Sequence, residues 1–295
     1  MAVATVLAAL ALGVVSSADA AQPGRAVTTA RAVSAPVTAG GSAWARGLWV
    51  WDQPSAKTLV SFAASRGISD LFVSVPDRFT SSARLDWVRS VSRLAVKEGI
   101  RLQALGGDAG WIDDPAAALA WQRDALASGL FTGVHVDLEP WQHPAWDSDN
   151  ASVVRGYLDV LRRLKAATAL PFEADVSFWL WTLQTDDGTP LDRAVMAITD
   201  KVTIMSYRDT VTGDDSVTGV GARELATAAA LGKPARLAVE TNDLGSDPVA
   251  AKQTFFGSTE TAVNAALSQI DAAEAGNGGY AGLAVHDYRG YQNLR

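Results

Sequence analysis

The sequence predicts a (β/α)8 TIM barrel that forms a single domain, and three observations carry this prediction. From Gly47 onward, short runs of β-branched and apolar residues alternate with amphipathic stretches, which is typical of parallel strands joined by right-handed helical crossovers. Eight such runs fall within about 245 residues, the size of a barrel of eight strand–helix units. The first run is followed by Gln53-Pro54-Ser55 rather than a glycine-rich turn, so an open nucleotide-binding sheet is not indicated.

The strands and helices can be placed by their periodicity. The predicted strands are Gly47–Asp52, Asp70–Asp77, Arg101–Asp108, Gly133–Pro140, Pro171–Leu180, Lys201–Tyr207, Ala235–Asn242 and Gly279–Tyr288. The predicted helices are Ser55–Arg66, Leu85–Glu98, Pro115–Ser128, Ala151–Thr168, Leu191–Thr199, Ala222–Leu231 and Glu260–Ala275. Apolar residues recur along each helix at the spacing that places them on one face. Only seven residues follow Tyr288, so we expect the eighth helix to be missing or replaced.

The first 43 residues precede the predicted barrel domain, 44–295. Ala2 to Val15 form an uncharged apolar run that ends in Ala18-Asp19-Ala20, which predicts a signal peptide over residues 1–20 and a secreted protein. No basic residue precedes the run, so the signal is atypical or the start codon is misassigned. A lipid anchor or an apolar tail without function are the alternatives to a signal. Residues 21–43 lack a helical or strand period and predict a flexible linker. The chain has no cysteine, so the fold cannot depend on disulfides.

The overall charge bears on the class of partner. The formal net charge is -7 and no cluster of lysine and arginine occurs, so a nucleic-acid partner is not expected. The apolar run at the N-terminus is too short to span a bilayer comfortably, and we expect no membrane contact once the signal is removed. A soluble monomer with a carbohydrate substrate is the prediction.

The end of the fourth strand carries three ionisable side chains on one face. Because side chains alternate along a strand, His135, Asp137 and Glu139 are predicted to face the barrel axis. Active sites of this fold lie at the C-terminal ends of the strands, and unpaired charge inside a barrel is strongly disfavoured. Asp137 and Glu139 are therefore candidate catalytic residues, whereas His135 lies deeper and is interpreted as a structural histidine.

Other strand ends add candidates. Glu240 ends the seventh strand and is predicted to point inward as a second catalytic glutamate. Flat aromatic rings suit the apolar faces of sugars, and polar groups can bind hydroxyls. The candidate substrate-binding residues at or beyond strand ends are Trp51, Trp141, Asp175, Trp179, Tyr207, Asn242, His286 and Tyr288.

Two carboxyl groups from different strands suit the hydrolysis of a glycosidic bond. One protonates the leaving oxygen, and the other attacks the anomeric carbon or activates water. Their pKa values must differ, and Asp137 can help to keep a proton on the neighbouring Glu139. We therefore expect Glu139 and Glu240 to act together, with Asp137 in support.

Two short segments resemble the chitinase-like family 18 barrels. Thr132-Gly133-Val134-His135-Val136-Asp137-Leu138-Glu139 is similar to their D-G-x-D-x-D-x-E pattern, and Met205-Ser206-Tyr207 is similar to their M-x-Y. The resemblance implies that Glu139 is the acid and that Asp137 orients a substrate acetamido group, which acts as the nucleophile. Thr132 and His135 replace the first two aspartates of that pattern, and His286 replaces the usual tryptophan.

Glu139-Pro140 also resembles the N-E-P sequence of retaining barrels that carry an acid/base glutamate after strand four and a nucleophile after strand seven. Leu138 stands where those barrels have asparagine, which normally contacts the sugar 2-hydroxyl. This resemblance implies that Glu240 is the nucleophile. It is the preferred assignment because it uses both inward glutamates.

Two other functions are open at the level of sequence. His135, Asp137, Glu139, Asp175 and His286 can be combined into a nitrogen and oxygen site for a metal-dependent hydrolase. The chain has only three histidines and no H-x-H or H-E-x-x-H spacing, so no metal or cofactor is expected. A carbohydrate-binding barrel without catalysis would also fit the departures from both family patterns.

Overall fold

A computed structural model describes residues 45–295. Within this range, eight parallel strands form a closed barrel in chain order, with the last strand paired to the first. This confirms the predicted (β/α)8 TIM barrel. The predicted signal peptide and linker lie outside the described residues.

The strands lie within or close to the predicted runs. Their bounds are β1 Ala45–Val50, β2 Asp70–Ser74, β3 Arg101–Gly106, β4 Gly133–Val136, β5 Phe172–Ser177, β6 Lys201–Met205, β7 Ala235–Glu240 and β8 Tyr280–His286. The helices are α1 Ala56–Ser65, α2 Arg84–Ala95, α3 Pro115–Ala127, α4 Asn150–Ala166, α5 Leu191–Ile198, α6 Val217–Leu231, α7 Pro248–Ala251, α8 Glu260–Glu274 and α9 Tyr288–Gln292.

Local side-chain caps explain where several helices begin. The side chain of Asp149 accepts a hydrogen bond from the amide of Ser152 at the start of α4, which satisfies one of the unpaired donors of a helix N-terminus. Ser216 does the same for α6 by accepting from the amide of Gly219. As a result, α6 begins five residues before the predicted Ala222.

The alternation of side chains along the strands places them as predicted. Val134, Val136 and Leu138 pack in the apolar layer between the barrel and the helices. A smaller apolar cluster fills the inside of the barrel and consists of Trp49, Phe72, Leu105, Ala238 and Ala284. This cluster separates a charged floor from the polar mouth above it.

The floor of the barrel is a network of buried charges. Arg236 binds Asp70 at 2.7 Å and Glu173 at 3.1 Å, and Arg101 also binds Asp70. Burial by itself raises the pKa of Asp70, but Arg236 and Arg101 outweigh it and bring that pKa below its usual value. Every carboxylate named here has a cationic partner, so the network is structural.

A short helix stands in place of the eighth barrel helix. Helix α9 has five residues, and its Tyr291 lies against Phe62 of α1, with ring centroids 5.4 Å apart. The expected replacement of the eighth helix is therefore confirmed. Among residues 45–295, no helix combines the length and the apolar character that a membrane crossing requires.

Candidate active site

The end of β4 brings Asp137 and Glu139 to the mouth of the barrel. The amide of Asp137 donates to the carbonyl of Gly106 at 3.0 Å, so pairing with β3 continues just past the end of the strand. A Cβ built on Gly107 would lie 1.9 Å from the carbonyl oxygen of Asp137. Only glycine allows this close approach of the two strand ends, and both carboxyl side chains are half-buried there.

Asp137 lies near Asp175 of β5. The two carboxyl groups are close enough for the charge of Asp175 to act on Asp137. Burial, followed by the nearby charges of Asp175 and Glu139, raises the pKa of Asp137 well above its usual value. Asp137 therefore keeps its proton to a higher pH than an exposed aspartate does.

Asp175 is held in place from two sides. It is only 3% exposed, its Oδ1 lies 2.9 Å from Nε2 of His135, and its Oδ2 accepts a hydrogen bond from the indole nitrogen of Trp49 at 3.3 Å. The imidazole of His135 stacks on Phe72 with a centroid distance of 3.8 Å. His135 thus supports Asp175 from within the barrel, and this role agrees with its interpretation as a structural histidine.

Glu139 has the electrostatics of a general acid. Burial and then the charge of Asp175 raise its pKa to about 7, while a hydrogen bond from Gln142 and the charge of His286 oppose this increase. A carboxyl group with such a pKa carries a proton in a large fraction of molecules near neutral pH. Efficient acid catalysis requires that match between pKa and working pH.

Tyr207, two residues after the end of β6, faces the carboxyl groups. Burial raises the pKa of its hydroxyl well above the usual value, and the charges of Glu240, Asp175, Asp137 and Glu139 add to this effect. The neutral phenol is therefore a hydrogen-bond donor at the mouth. Across the part of the chain that the structure describes, no residue binds its hydroxyl.

Glu240 lies at the mouth at the end of β7, but its oxygens are occupied. Oε1 accepts hydrogen bonds from the amides of Thr241 and Asn242, each at 2.7 Å, and from the side-chain amide of Asn242 at 2.9 Å. Oε2 lies 2.6 Å from Nδ1 of His286. The side-chain amide of Asn242 also donates to Asp287, so this predicted substrate contact is engaged within the protein.

His286 joins Glu240 to an exposed tryptophan. The indole nitrogen of Trp51 donates to Nε2 of His286 at 3.0 Å, and Trp51 is 36% exposed. Burial lowers the pKa of His286, but the charge and hydrogen bond of Glu240 outweigh this effect and raise it to about 9. The three side chains therefore form a continuous chain from the floor of the mouth to its rim.

The other predicted aromatic contacts lie across the barrel. Trp141 follows β4 and Trp179 follows β5; both are half-buried, and their ring centroids are 4.9 Å apart. In a barrel closed in chain order, β1 and β5 lie opposite each other. Trp51 on one side and the Trp141–Trp179 pair on the other thus flank the carboxyl groups.

Tyr288 requires a correction, because the structure does not place it among these residues. Strand β8 ends at His286 and α9 begins at Tyr288, so the strand alternation used to predict an inward side chain no longer applies. The ring of Tyr288 packs instead on Phe62 of α1, 5.2 Å away, in the layer between barrel and helices.

Two residues of the site were not predicted from the sequence. Trp49 binds Asp175, and strand alternation could have identified it because it lies two residues before Trp51 on β1. Arg84 of α2 donates to the carbonyls of Trp51 and Asp52 at 2.8 and 2.9 Å. No sequence signal links Arg84 to β1, because their proximity depends on how α2 packs.

The histidines of the site already have carboxylate partners. His135 is bound to Asp175 and His286 to Glu240. Within residues 45–295, no group of three or more histidine, aspartate or glutamate side chains is arranged to hold a metal ion.

The barrel is similar to several solved structures. A class V chitinase from Pseudomonas fluorescens Pf-5 has 12% sequence identity and a TM-score of 0.54, over 84% of this chain and 97% of that one. The spore cortex-lytic enzyme SleL of Bacillus cereus has 11% identity and a TM-score of 0.54, over 85% and 71%. A GH113 beta-1,4-mannanase has 8% identity and a TM-score of 0.54, over 83% and 87%. At these identities the similarity shows the shared fold. No protein-family model and no curated protein matches the chain.

Proposed function

We propose that the protein is a secreted glycoside hydrolase that acts on a poly- or oligosaccharide, with Glu139 as the proton donor. The observation that carries the proposal is the position of Glu139 at the C-terminal mouth of the barrel with a pKa raised to about 7. Cleavage of a glycosidic bond needs a proton on the leaving oxygen, and a carboxylic acid with such a pKa supplies it near neutral pH.

The surroundings of Glu139 support a sugar substrate. Trp51 and the Trp141–Trp179 pair offer aromatic rings on opposite sides of the carboxyl groups, and such rings stack on the apolar faces of sugars. Oδ1 of Asp137 is shielded from solvent and lacks a hydrogen-bond partner within residues 45–295. A hydrogen-bond donor of the substrate would give this oxygen the partner that it lacks. Proteins named class V chitinase and β-1,4-mannanase share this fold, and the proposal assigns the same broad class of reaction.

Two mechanisms are open, and they differ in which group attacks the anomeric carbon as the nucleophile. With Glu240 as the nucleophile, the enzyme retains configuration through a covalent glycosyl intermediate. With a substrate acetamido group as the nucleophile, Asp137 orients that group and Tyr207 donates to it. The hydrogen bonds on both oxygens of Glu240 and the free hydroxyl of Tyr207 favour the second mechanism.

Substitution of Glu139 tests the proposed function. We expect E139Q to reduce kcat at least about 10³-fold on the best substrate of a polysaccharide panel while leaving sugar affinity nearly unchanged. E98Q, which alters an exposed glutamate far from the mouth, serves as the matched control and should keep full activity. Binding without any product across the panel and across pH would overturn the hydrolase proposal in favour of a binding barrel.

The two mechanisms differ in what they require of the substrate. If an acetamido group attacks, hydrolysis needs an N-acetylated sugar on the non-leaving side, and E240A is not rescued by azide. If Glu240 attacks, E240A loses turnover and azide restores it by forming a glycosyl azide. Secretion is tested separately by sequencing the N-terminus of the exported protein, which we expect to begin at Ala21.

A further inference from the structure

The hydrogen bond between Trp51 and His286 defines the tautomer of the histidine. An indole N–H can only donate, so Nε2 of His286, 3.0 Å away, must present a lone pair. The ring proton is then on Nδ1, from which it is donated to Oε2 of Glu240 at 2.6 Å. The observed contacts are therefore those of a neutral imidazole between a donor and an acceptor.

Glu240 is the fixed end of this chain of hydrogen bonds, which runs from Trp51 through His286. Its other oxygen accepts three N–H groups from Thr241 and Asn242, and the residue is only 3% exposed. Backbone amides hold the carboxylate in one orientation, which in turn orients the imidazole. Few acceptor positions remain on Glu240 for a substrate.

We propose that Glu240 and His286 are positioning residues that hold the indole of Trp51 at the mouth as a sugar-binding platform, and that a proton added at Nε2 of His286 releases this platform. The inference rests on the proposed function in so far as the ligand of Trp51 is a sugar. The hydrogen-bond chain itself can be tested without any substrate.

The release of the Trp51 indole from His286 follows from the chemistry of the imidazole nitrogens. A second proton on His286 converts Nε2 into a donor that faces the donor N–H of Trp51, so the attraction becomes a repulsion. Arg84 holds the backbone carbonyls of Trp51 and Asp52, which restricts the response to the indole side chain. The indole then leaves Nε2, and the imidazolium keeps its ion pair with Glu240.

Groups from several elements face His286 and determine the balance between its neutral and its charged form. Glu240 of β7 and Asp137, after β4, favour the charged ring, as does Asp287 beside it. Glu139, also after β4, interacts with the charge of His286. Tyr207, just after β6, and Trp49 of β1 contribute aromatic rings with centroids 6.1 and 5.5 Å away. The carboxylates raise the pKa of His286 to about 9, whereas a docked indole requires the neutral ring. Proton uptake and release of Trp51 are therefore coupled, and the platform is docked at high pH.

Nuclear magnetic resonance of ¹⁵N-histidine tests the chain directly. The protein has only three histidines, and H286Q identifies the signal of His286 by difference. At pH above the pKa of His286 we expect the tautomer with the proton on Nδ1. W51F keeps an aromatic ring but lacks the N–H, so we expect it to raise the pKa of His286 by at least about half a unit, since the group that opposes protonation is removed.

W181A is the matched control for this measurement. Trp181 is exposed to a similar extent, 38%, but its ring lies under Arg223 and not against His286. It should leave the pKa of His286 unchanged. The proton on Nε2 in wild type, or the same pKa of His286 in wild type and W51F, would overturn the proposal whether or not the protein hydrolyses sugars.

Kinetics distinguish a positioning role of Glu240 from a nucleophilic one. If Glu240 positions Trp51, W51A and E240Q each raise KM about tenfold at a pH above the pKa of His286, where the platform is docked, with a smaller effect on kcat. The double variant is then no worse than the poorer single variant. If E240Q instead lowers kcat at least about 10³-fold and its effect adds to that of W51A, the positioning proposal fails while the hydrolase proposal stands. H286A, which removes both the acceptor for Trp51 and the donor to Glu240, provides the same comparison should E240Q fail to fold.

Discussion

The carboxylate of Asp175 on β5 lies 2.9 Å from the imidazole nitrogen of His135 on β4, below the mouth of the barrel. After burial, the charge of the same carboxylate raises the pKa of Asp137, which is two residues before Glu139. His135 therefore acts on the proposed proton donor only through a series of contacts. The charge of Asp175 raises the pKa of Glu139, because burial weakens the screening between the two carboxyl groups.

The charge of Asp175 is expected to control the pH range of activity. Glu139 donates a proton only when protonated, so kcat/KM should fall as pH rises above its pKa of about 7. Asp175 raises that pKa, so D175N should move the alkaline limb of the pH profile to lower pH. D86N, at an exposed aspartate on α2, should leave the limb in place. An unmoved limb in D175N would show that the two groups are not coupled.

Gly107 is expected to be necessary for the position of Asp137. The methyl group of G107A would collide with the carbonyl of Asp137, since a Cβ there lies 1.9 Å from that oxygen. The strand ends must separate, so we expect at least about a tenfold loss of kcat together with a lower Tm. G276A, whose Cβ would have no neighbour within 4 Å, should match wild type in both measurements. Full activity in G107A would mean that the strand end adjusts without moving the carboxyl group.

Glu224 on α6 is expected to destabilise the protein as pH rises. It is fully buried, and neither carboxyl oxygen has a hydrogen-bond partner among residues 45–295. Burial, with the charge of Asp192 in addition, raises its pKa from 4.5 to about 8. Between these two values the unfolded chain loses a proton that the folded protein keeps, so the free energy of unfolding falls with increasing pH.

The variant E224Q removes this dependence. We expect it to resemble wild type in urea unfolding at pH 4 and to be more stable by about 3–5 kcal/mol at pH 9. E98Q, at an exposed position, should show no such divergence. A constant difference between E224Q and wild type at both pH values would contradict a buried, neutral Glu224.

The barrel floor is expected to be sensitive to the loss of a single charge. R236M leaves the buried carboxylates of Asp70 and Glu173 without their shared cation, and we expect a loss of about 3–5 kcal/mol in the free energy of unfolding. R89M breaks an exposed pair with Asp86 on α2 and should cost less than about 1 kcal/mol. Urea unfolding measures the free energy of unfolding of both variants. Equal losses in R236M and R89M would mean that the buried network contributes no more to stability than an exposed ion pair.

The sequence by itself determined the barrel and the location of the site. The alternation of strands and helices repeats eight times, and alternation along the predicted strand Gly133–Pro140 places Asp137 and Glu139 at the mouth while Val136 and Leu138 face the helices. These features depend on neighbours in the chain, because strand period and helix period are local properties.

Only the tertiary structure decided which side chains bind one another. Asp175 lies 40 residues from His135 and Trp51 lies 235 residues from His286, and no local pattern relates residues at such separations. Barrel closure brings β8 next to β1 and so joins Trp51, His286 and Glu240. Tyr288 shows the limit of strand alternation, because the backbone turns into α9 after His286 and the period of two ends with the strand. Partners across a closed barrel depend on register and packing, and these are properties of the folded chain as a whole.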